Sequence, residues 1–98
     1  MSPRRACRKD ANHDEIADAI RLHGWQVYDT FQVAQYLPGW PDLLACREGE
    51  TVWVEVKTAR GRLTADERKF QAVHRGRYVV LRSVDDVLRE MGRGDAGK

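Results

Sequence analysis

The sequence predicts an α/β domain in which helices flank a mixed four-stranded sheet, in the order α-β-β-β-α-β-α. Three observations predict it. Residues 51–57 alternate, with Val52, Val54 and Val56 on one side and Trp53, Glu55 and Lys57 on the other, the period of two of a half-buried strand. Just before them, Glu48-Gly49-Glu50 has the length of a hairpin connection to a second run, Asp42 to Arg47. A helical segment opened by Thr64 and Glu67, a capping-box pair, separates residues 51–57 from the apolar run at 77–82. A helix between two strands of one sheet implies a right-handed crossover, so these two strands are expected to be parallel.

In chain order, residues 1–11 read as a flexible basic arm carrying Arg4, Arg5, Arg8 and Lys9. Asn12 with Glu15 forms an N-cap and capping-box pattern. Ile16, Ala19, Ile20 and His23 then recur at helical spacing, with Leu22 extending the stripe, and Gly24 closes the helix. Trp25 to Phe31 alternates as a strand. Residues 32–38 carry no decisive pattern, and Pro38-Gly39 with Pro41 marks a loop. Ala59 to Arg62 is a basic loop. The next helix is expected to about His74, turning Leu63, Phe70 and Val73 inward, with Gly76 as its stop. Arg77 to Arg82 is a short buried strand, Ser83 caps a helix from Val84 to Met91, and residues 92–98 form a frayed tail. One domain over residues 12–91 is expected.

Ninety-eight residues, 42% of them apolar, suffice for one core. No apolar run approaches a membrane span, and the basic N-terminal stretch lacks an apolar signal region, so a cytoplasmic protein without membrane partners is expected. Cys7 and Cys46 lack metal-type spacing and read as free thiols. Net charge is only +2, but eight basic residues fall between Lys57 and Arg82 against Asp66 and Glu67. Such a distribution suits phosphate neutralisation around an acidic centre, and equally a solvated surface.

The chemistry concentrates between Gly39 and Lys57. Glu55 and Lys57 share a face, roughly 6–7 Å apart along the strand, and Asp42 opens the neighbouring strand. Two carboxylates can hold a hard divalent cation, with the backbone carbonyl of Val56 as a third ligand. An amine beside them can orient water and stabilise charge on a reacting phosphate. Asp42 and Glu55 are thus the candidate metal ligands and Lys57 the candidate catalytic amine. Arg60 and Arg62, with Lys69 on the following helix, are the candidate DNA-phosphate contacts. Trp53 shares the face of Glu55 and Lys57, where an aromatic ring either packs or stacks on a base. His13, His23 and His74 have no zinc-type spacing.

Pro41-Asp42 followed by Glu55-Val56-Lys57 matches the PD-(D/E)XK nuclease signature. The wider context, Gly39 to Leu44, Val54 to Lys57, Gly61 to Thr64 and the closing Tyr78 to Val87, resembles the VRR-NUC family of that superfamily over roughly residues 12–91. The resemblance implies a restriction-endonuclease-like PD-(D/E)XK core that binds Mg²⁺ or Mn²⁺. It also implies an acidic residue of the first helix near the metal. Glu15 matches that position, beside its simpler role in the capping box. Related nucleases carry a glutamine on the helix after the lysine strand; here Glu67 stands at the early position and Gln71 one turn later. Small stand-alone members of the family come from phages and bacteria, and some act as dimers on branched DNA. The implied activity is a metal-dependent DNA endonuclease acting on structured DNA, foremost a Holliday (four-way) junction. Two symmetric nicks need two sites, hence a homodimer. The alternatives are a flap or restriction-like nuclease acting with a helicase, and a non-catalytic DNA-binding protein on the same fold.

Overall fold

A computed structural model describes residues 9–92. The expected basic arm up to residue 8 and the tail from residue 93 lie outside the described residues. The elements are α1 (His13–Leu22), β1 (Gln26–Asp29), α2 (Phe31–Ala34), β2 (Leu43–Arg47), β3 (Glu50–Val56), α3 (Ala65–Val73), β4 (Arg77–Leu81) and α4 (Val84–Met91). The sheet runs β1-β2-β3-β4. β1 and β3 are each antiparallel to β2, and β4 is parallel to β3 across the α3 crossover, as the sequence predicts.

The period of two in β3 divides the molecule. Val52, Val54 and Val56 are buried with Leu43, Ala45, Val79 and Leu81 in one core, closed by Ile16, Ala17 and Ile20 of α1 and Val87 and Met91 of α4. The other face of the sheet carries Trp53 and Glu55 and is approached by α3, whose Phe70 ring lies edge-on to Trp53, 6.0 Å between centroids. Trp25, 3% exposed, donates its indole N–H to Met91 O at 2.8 Å. The Arg47 guanidinium sits 4.2 Å above that indole and donates to His23 O and Met91 O. This cluster ties together the ends of α1, β2 and α4, so the bulky aromatic ring is buried with its polar atom satisfied.

Four local expectations are corrected. The first strand stops at Asp29 rather than Phe31, because the Asp29 carboxylate accepts the Phe31 N–H at 3.0 Å and turns the chain into α2, an element absent from the expected order. The Asn12–Glu15 capping box does not form. Asn12 Nδ2 instead donates to Lys57 O at 3.1 Å and Arg82 O at 3.0 Å, pinning the start of α1 to the ends of β3 and β4. The buried stripe of α1 is His13, Ile16, Ala17 and Ile20 with Ala19, and Leu22 is 86% exposed. In α3 no residue is buried, and Val73, expected inward, is 73% exposed. That helix ends at Val73, close to the expected His74, which caps it in an extended conformation, and Gly76 lies three residues beyond its end.

The other local signals hold. Thr64 and Glu67 form a complete capping box, and Ser83 Oγ accepts the Asp86 N–H. Glu48 and Gly49 form the two-residue hairpin loop, with φ of +52° and +85°, the pattern of a type I′ turn matched to the twist of the flanking strands. Cys46 is a free thiol, and Cys7 lies outside the described residues. Among the described residues no helix is long and apolar enough to cross a membrane.

Candidate active site

The β2–β3 hairpin builds the site. Leu43 pairs with Val54 and Leu44 with Trp53, so continuing the ladder by one residue sets Asp42 opposite Glu55 on the face away from the core. Two hydrogen bonds lock that register: Asp42 N donates to Val54 O at 3.1 Å, and Val56 N donates to the side-chain Asp42 Oδ2 at 2.9 Å. Pro41, fully buried, precedes Asp42, and its carbonyl accepts the Thr30 hydroxyl at 2.9 Å. The Pro-Asp pair is therefore anchored on both sides before the strand begins.

Asp42, Glu55, Val56, Lys57 and Glu67 line a cleft of about 210 Å³. Its far walls are Asp10, the α2 residues Phe31 and Ala34, and Gly39 with Trp40. Glu55 is only 2% exposed, and its Oε1 is buried with no hydrogen-bond partner. An orphaned carboxylate oxygen facing a cleft is costly unless something fills its coordination. Burial first, then the negative charges of Asp42 and Glu67, push the Glu55 carboxyl up to about 10. Burial also holds Asp42 above the usual carboxylate range, against the pull of the Val56 N–H.

Lys57 extends from the end of β3. Its Nζ lies 2.8 Å from Glu67 Oε1 and 3.8 Å from Glu55 Oε2. Burial works to lower the Lys57 pKa, but the hydrogen bond and charge of Glu67, helped by Glu55, outweigh it and leave the amine above its ordinary value. Glu67 meets the same opposition from burial and is nevertheless held below the usual range by Lys57 and by the Thr64 N–H, which donates to Oε1 at 2.8 Å. One carboxylate oxygen thus closes the capping box of α3 and holds the lysine.

The candidates from sequence separate into two groups. Asp42, Glu55, Val56 and Lys57 meet in the cleft. Glu15 is exposed and does not line it. At about 100° per residue, Glu15 falls on the side of α1 opposite the His13-Ile16-Ala17-Ile20 face. The resemblance placed it near the metal and a stripe extended to Leu22 would have turned it inward, but Leu22 points to solvent. Gln71 is also exposed and outside the cleft, and Glu67 occupies the helix position. Arg60, Arg62 and Lys69 are exposed. The loop bearing the two arginines is held by Arg82, which donates to Thr58 O and Gly61 O.

Two contributors escaped the sequence reading. Asp10 lines the cleft just before α1, and its charge raises Lys57. His13, 2% exposed, places Nε2 3.1 Å from Asp29 Oδ2 and packs edge-on to Phe31 at 5.8 Å between centroids. The pair supports the α2 wall. A histidine in the first turn of a buried stripe was the available signal, and its acidic partner, sixteen residues away, was not.

The donor set fits a hard divalent cation of low protein coordination. Mg²⁺ is commonly bound by one or two carboxylates with water and substrate phosphate completing the shell. Asp42 and Glu55 provide the two carboxylates, and the partnerless Glu55 Oε1 is the atom that such an ion would satisfy. Among the described residues no group of three His, Cys, Asp or Glu side chains is placed to hold a metal ion. Comparison with protein-family models, with curated proteins and with solved structures finds no match to this chain.

Proposed function

We propose that this protein is a Mg²⁺- or Mn²⁺-dependent endonuclease of PD-(D/E)XK type that hydrolyses phosphodiester bonds in structured DNA. The single observation that carries the reading is the cleft itself. A buried carboxylate, Glu55, with an orphaned oxygen stands opposite the half-buried Asp42 on the neighbouring strand, and a lysine follows Glu55 at the end of its strand. A structural protein gains nothing from confining these groups, since isolated buried charge is destabilising.

Asp42 and Glu55, with the Val56 carbonyl, would hold the cation. Bound there, it would supply Lewis acidity toward the phosphate and lower the pKa of water. The chain's own residues do the rest. Lys57, kept protonated by Glu67, places positive charge beside the carboxylates where a phosphate oxygen gains charge. Burial excludes bulk water from Glu55 and strengthens each interaction in the cleft. Arg60, Arg62 and Lys69 neutralise phosphates along the strand. A domain of this size reads shape and backbone rather than a long sequence, which favours a four-way junction cut by a homodimer with one site per strand.

The test is cleavage of labelled four-way junction, flap, duplex and single-stranded DNA with Mg²⁺, Mn²⁺ or EDTA. Paired nicks at the junction are expected, abolished by EDTA and reduced about 100- to 1000-fold in Lys57→Ala. Cleavage confined to flaps or duplex retains the nuclease and removes the resolvase. DNA binding without cleavage, unchanged by Lys57→Ala, replaces both with a non-catalytic DNA-binding protein.

A further inference from the structure

On the cleft face of the sheet, one polar group takes no part in the proposed hydrolysis. Tyr78 of β4 pairs with Trp53 of β3, and the next residues in β4, Val79 and Leu81, alternate into the core. The Tyr78 side chain therefore shares the face of Trp53 and Glu55. It stands one strand over from Glu55 and two residues back, roughly 8 Å from backbone to backbone. Asp42 thus flanks Glu55 from β2 and Tyr78 flanks it from β4. The Phe70 ring of α3 lies against the phenol, 6.0 Å between centroids. The Tyr78 hydroxyl is buried and has no hydrogen-bond partner. Of the three orphaned buried side-chain atoms among the described residues, two are this hydroxyl and Glu55 Oε1. Burial raises the phenol above its ordinary value, and the charge of Glu55, ahead of those of Glu67 and Asp42, adds to the shift. The hydroxyl is therefore within electrostatic reach of the Glu55 carboxylate.

Resting on the reading of the cleft as a cation site, we propose that Tyr78 is a positioning residue for Glu55, its hydroxyl joined to Glu55 Oε1 by hydrogen bonds through one bound water. One orphan is a donor and the other an acceptor. Buried polar atoms that lie too far apart for a direct bond are ordinarily satisfied in this way. A carboxylate oxygen has two lone pairs. One pair of Oε1 is then held from β4 while the other stays turned to the cleft. Carboxylates that ligate metals are themselves steered by such outer partners, and a long glutamate side chain without one has rotamer freedom to lose when the ion arrives.

Tyr78→Phe removes the hydroxyl and keeps the ring against Phe70, and Glu55→Met removes both carboxylate oxygens at similar volume. Urea unfolding of the full-length protein without divalent ions compares the wild type, each variant and the double variant. In the wild-type background Tyr78→Phe is expected to raise the unfolding equilibrium constant about fivefold. Beside Glu55→Met the same change is expected to raise it less than about twofold. In titration calorimetry, Mn²⁺ is expected to bind Tyr78→Phe about tenfold more weakly than the wild type. Tyr28→Phe, at an exposed position of β1, is expected to alter neither reading. Equal effects of Tyr78→Phe in the two backgrounds overturn the proposal, as does a Tyr78→Phe that is more stable than the wild type, the result for a hydroxyl that is simply unpaired. Unchanged Mn²⁺ affinity also overturns it. A wild type that binds no Mn²⁺ removes the cation site, and the unfolding series by itself then retains or removes the link between Tyr78 and Glu55.

Discussion

Glu55 is buried beside two other carboxylates, and its titration sets much of the pH behaviour. Its folded value of about 10 lies far above the ordinary 4.5, so the folded state holds the proton more tightly than the unfolded chain. Its contribution to stability is therefore complete below about pH 4.5 and is lost as pH rises toward 10. Without divalent ions, Glu55→Gln is expected to stabilise the protein at pH 8 by about 2 kcal/mol and to flatten this decline, read from urea midpoints across pH. Cation binding requires the ionised carboxylate. Titration calorimetry at pH 7 in buffers of different ionisation enthalpy should then show about one proton released per ion bound in the wild type, and none from the Gln variant. The sequence displayed Asp42, Glu55 and Lys57 through strand alternation and one hairpin. It did not display the partners of Lys57, because Glu67 first registers as a helix cap, and in the fold one oxygen serves both roles.

At the scale of elements, two glycine-bearing turns make opposite predictions. Glu48 occupies the first position of the β2–β3 turn with φ +52°, a conformation unfavourable for a side chain that cannot bond its own backbone there. Glu48→Asn, giving Asn-Gly, is expected to stabilise the hairpin by about 0.5–1 kcal/mol, seen as a higher urea midpoint with unchanged slope. Gly39 has φ +89°, and a Cβ there would meet the Asp66 carbonyl oxygen at 2.5 Å. Gly39→Ala should push α3 off the sheet, because α3 has no buried residue to resist. A loss of about 1–3 kcal/mol is expected, with a larger loss of cleavage, since Glu67 leaves Lys57 as the helix moves. Strands, hairpin, both Ser/Thr-capped helices and the crossover were legible because their signals are local. The facing of α1 and α3 was legible only in part. Ile16, Ala19 and Ile20 are buried as expected, but the stripe of α1 runs back to Ala17 and His13 rather than on to Leu22, a difference that only contact with α4 and the sheet decides. Likewise the Asn12 cap yielded to two carbonyls, 45 and 70 residues away, that no local pattern announces.

At the scale of the whole molecule, the site is a local sacrifice carried by a distant core. Fourteen apolar residues on the opposite face of the sheet form one continuous cluster, and the strain of opposed carboxylates is borne by that cluster. Millimolar Mg²⁺ should therefore raise the melting temperature of the wild type, by an amount that grows with concentration, while leaving Asp42→Asn and Glu55→Gln unmoved. A shift of equal size in all three would place the ion elsewhere.

The Asn12 and Trp25 hydrogen bonds carry a consequence for biosynthesis. Asn12 waits for the carbonyl of Arg82, and Trp25 for that of Met91. The cleft draws on residues 10–67, and β4 and α4 follow them in the chain. A nascent chain halted before residue 91 lacks the Trp25 bond to Met91, and one halted before residue 82 also lacks the Asn12 bond to Arg82, so the hairpin can set Asp42 opposite Glu55 before the start of α1 is tied to β4 and α4.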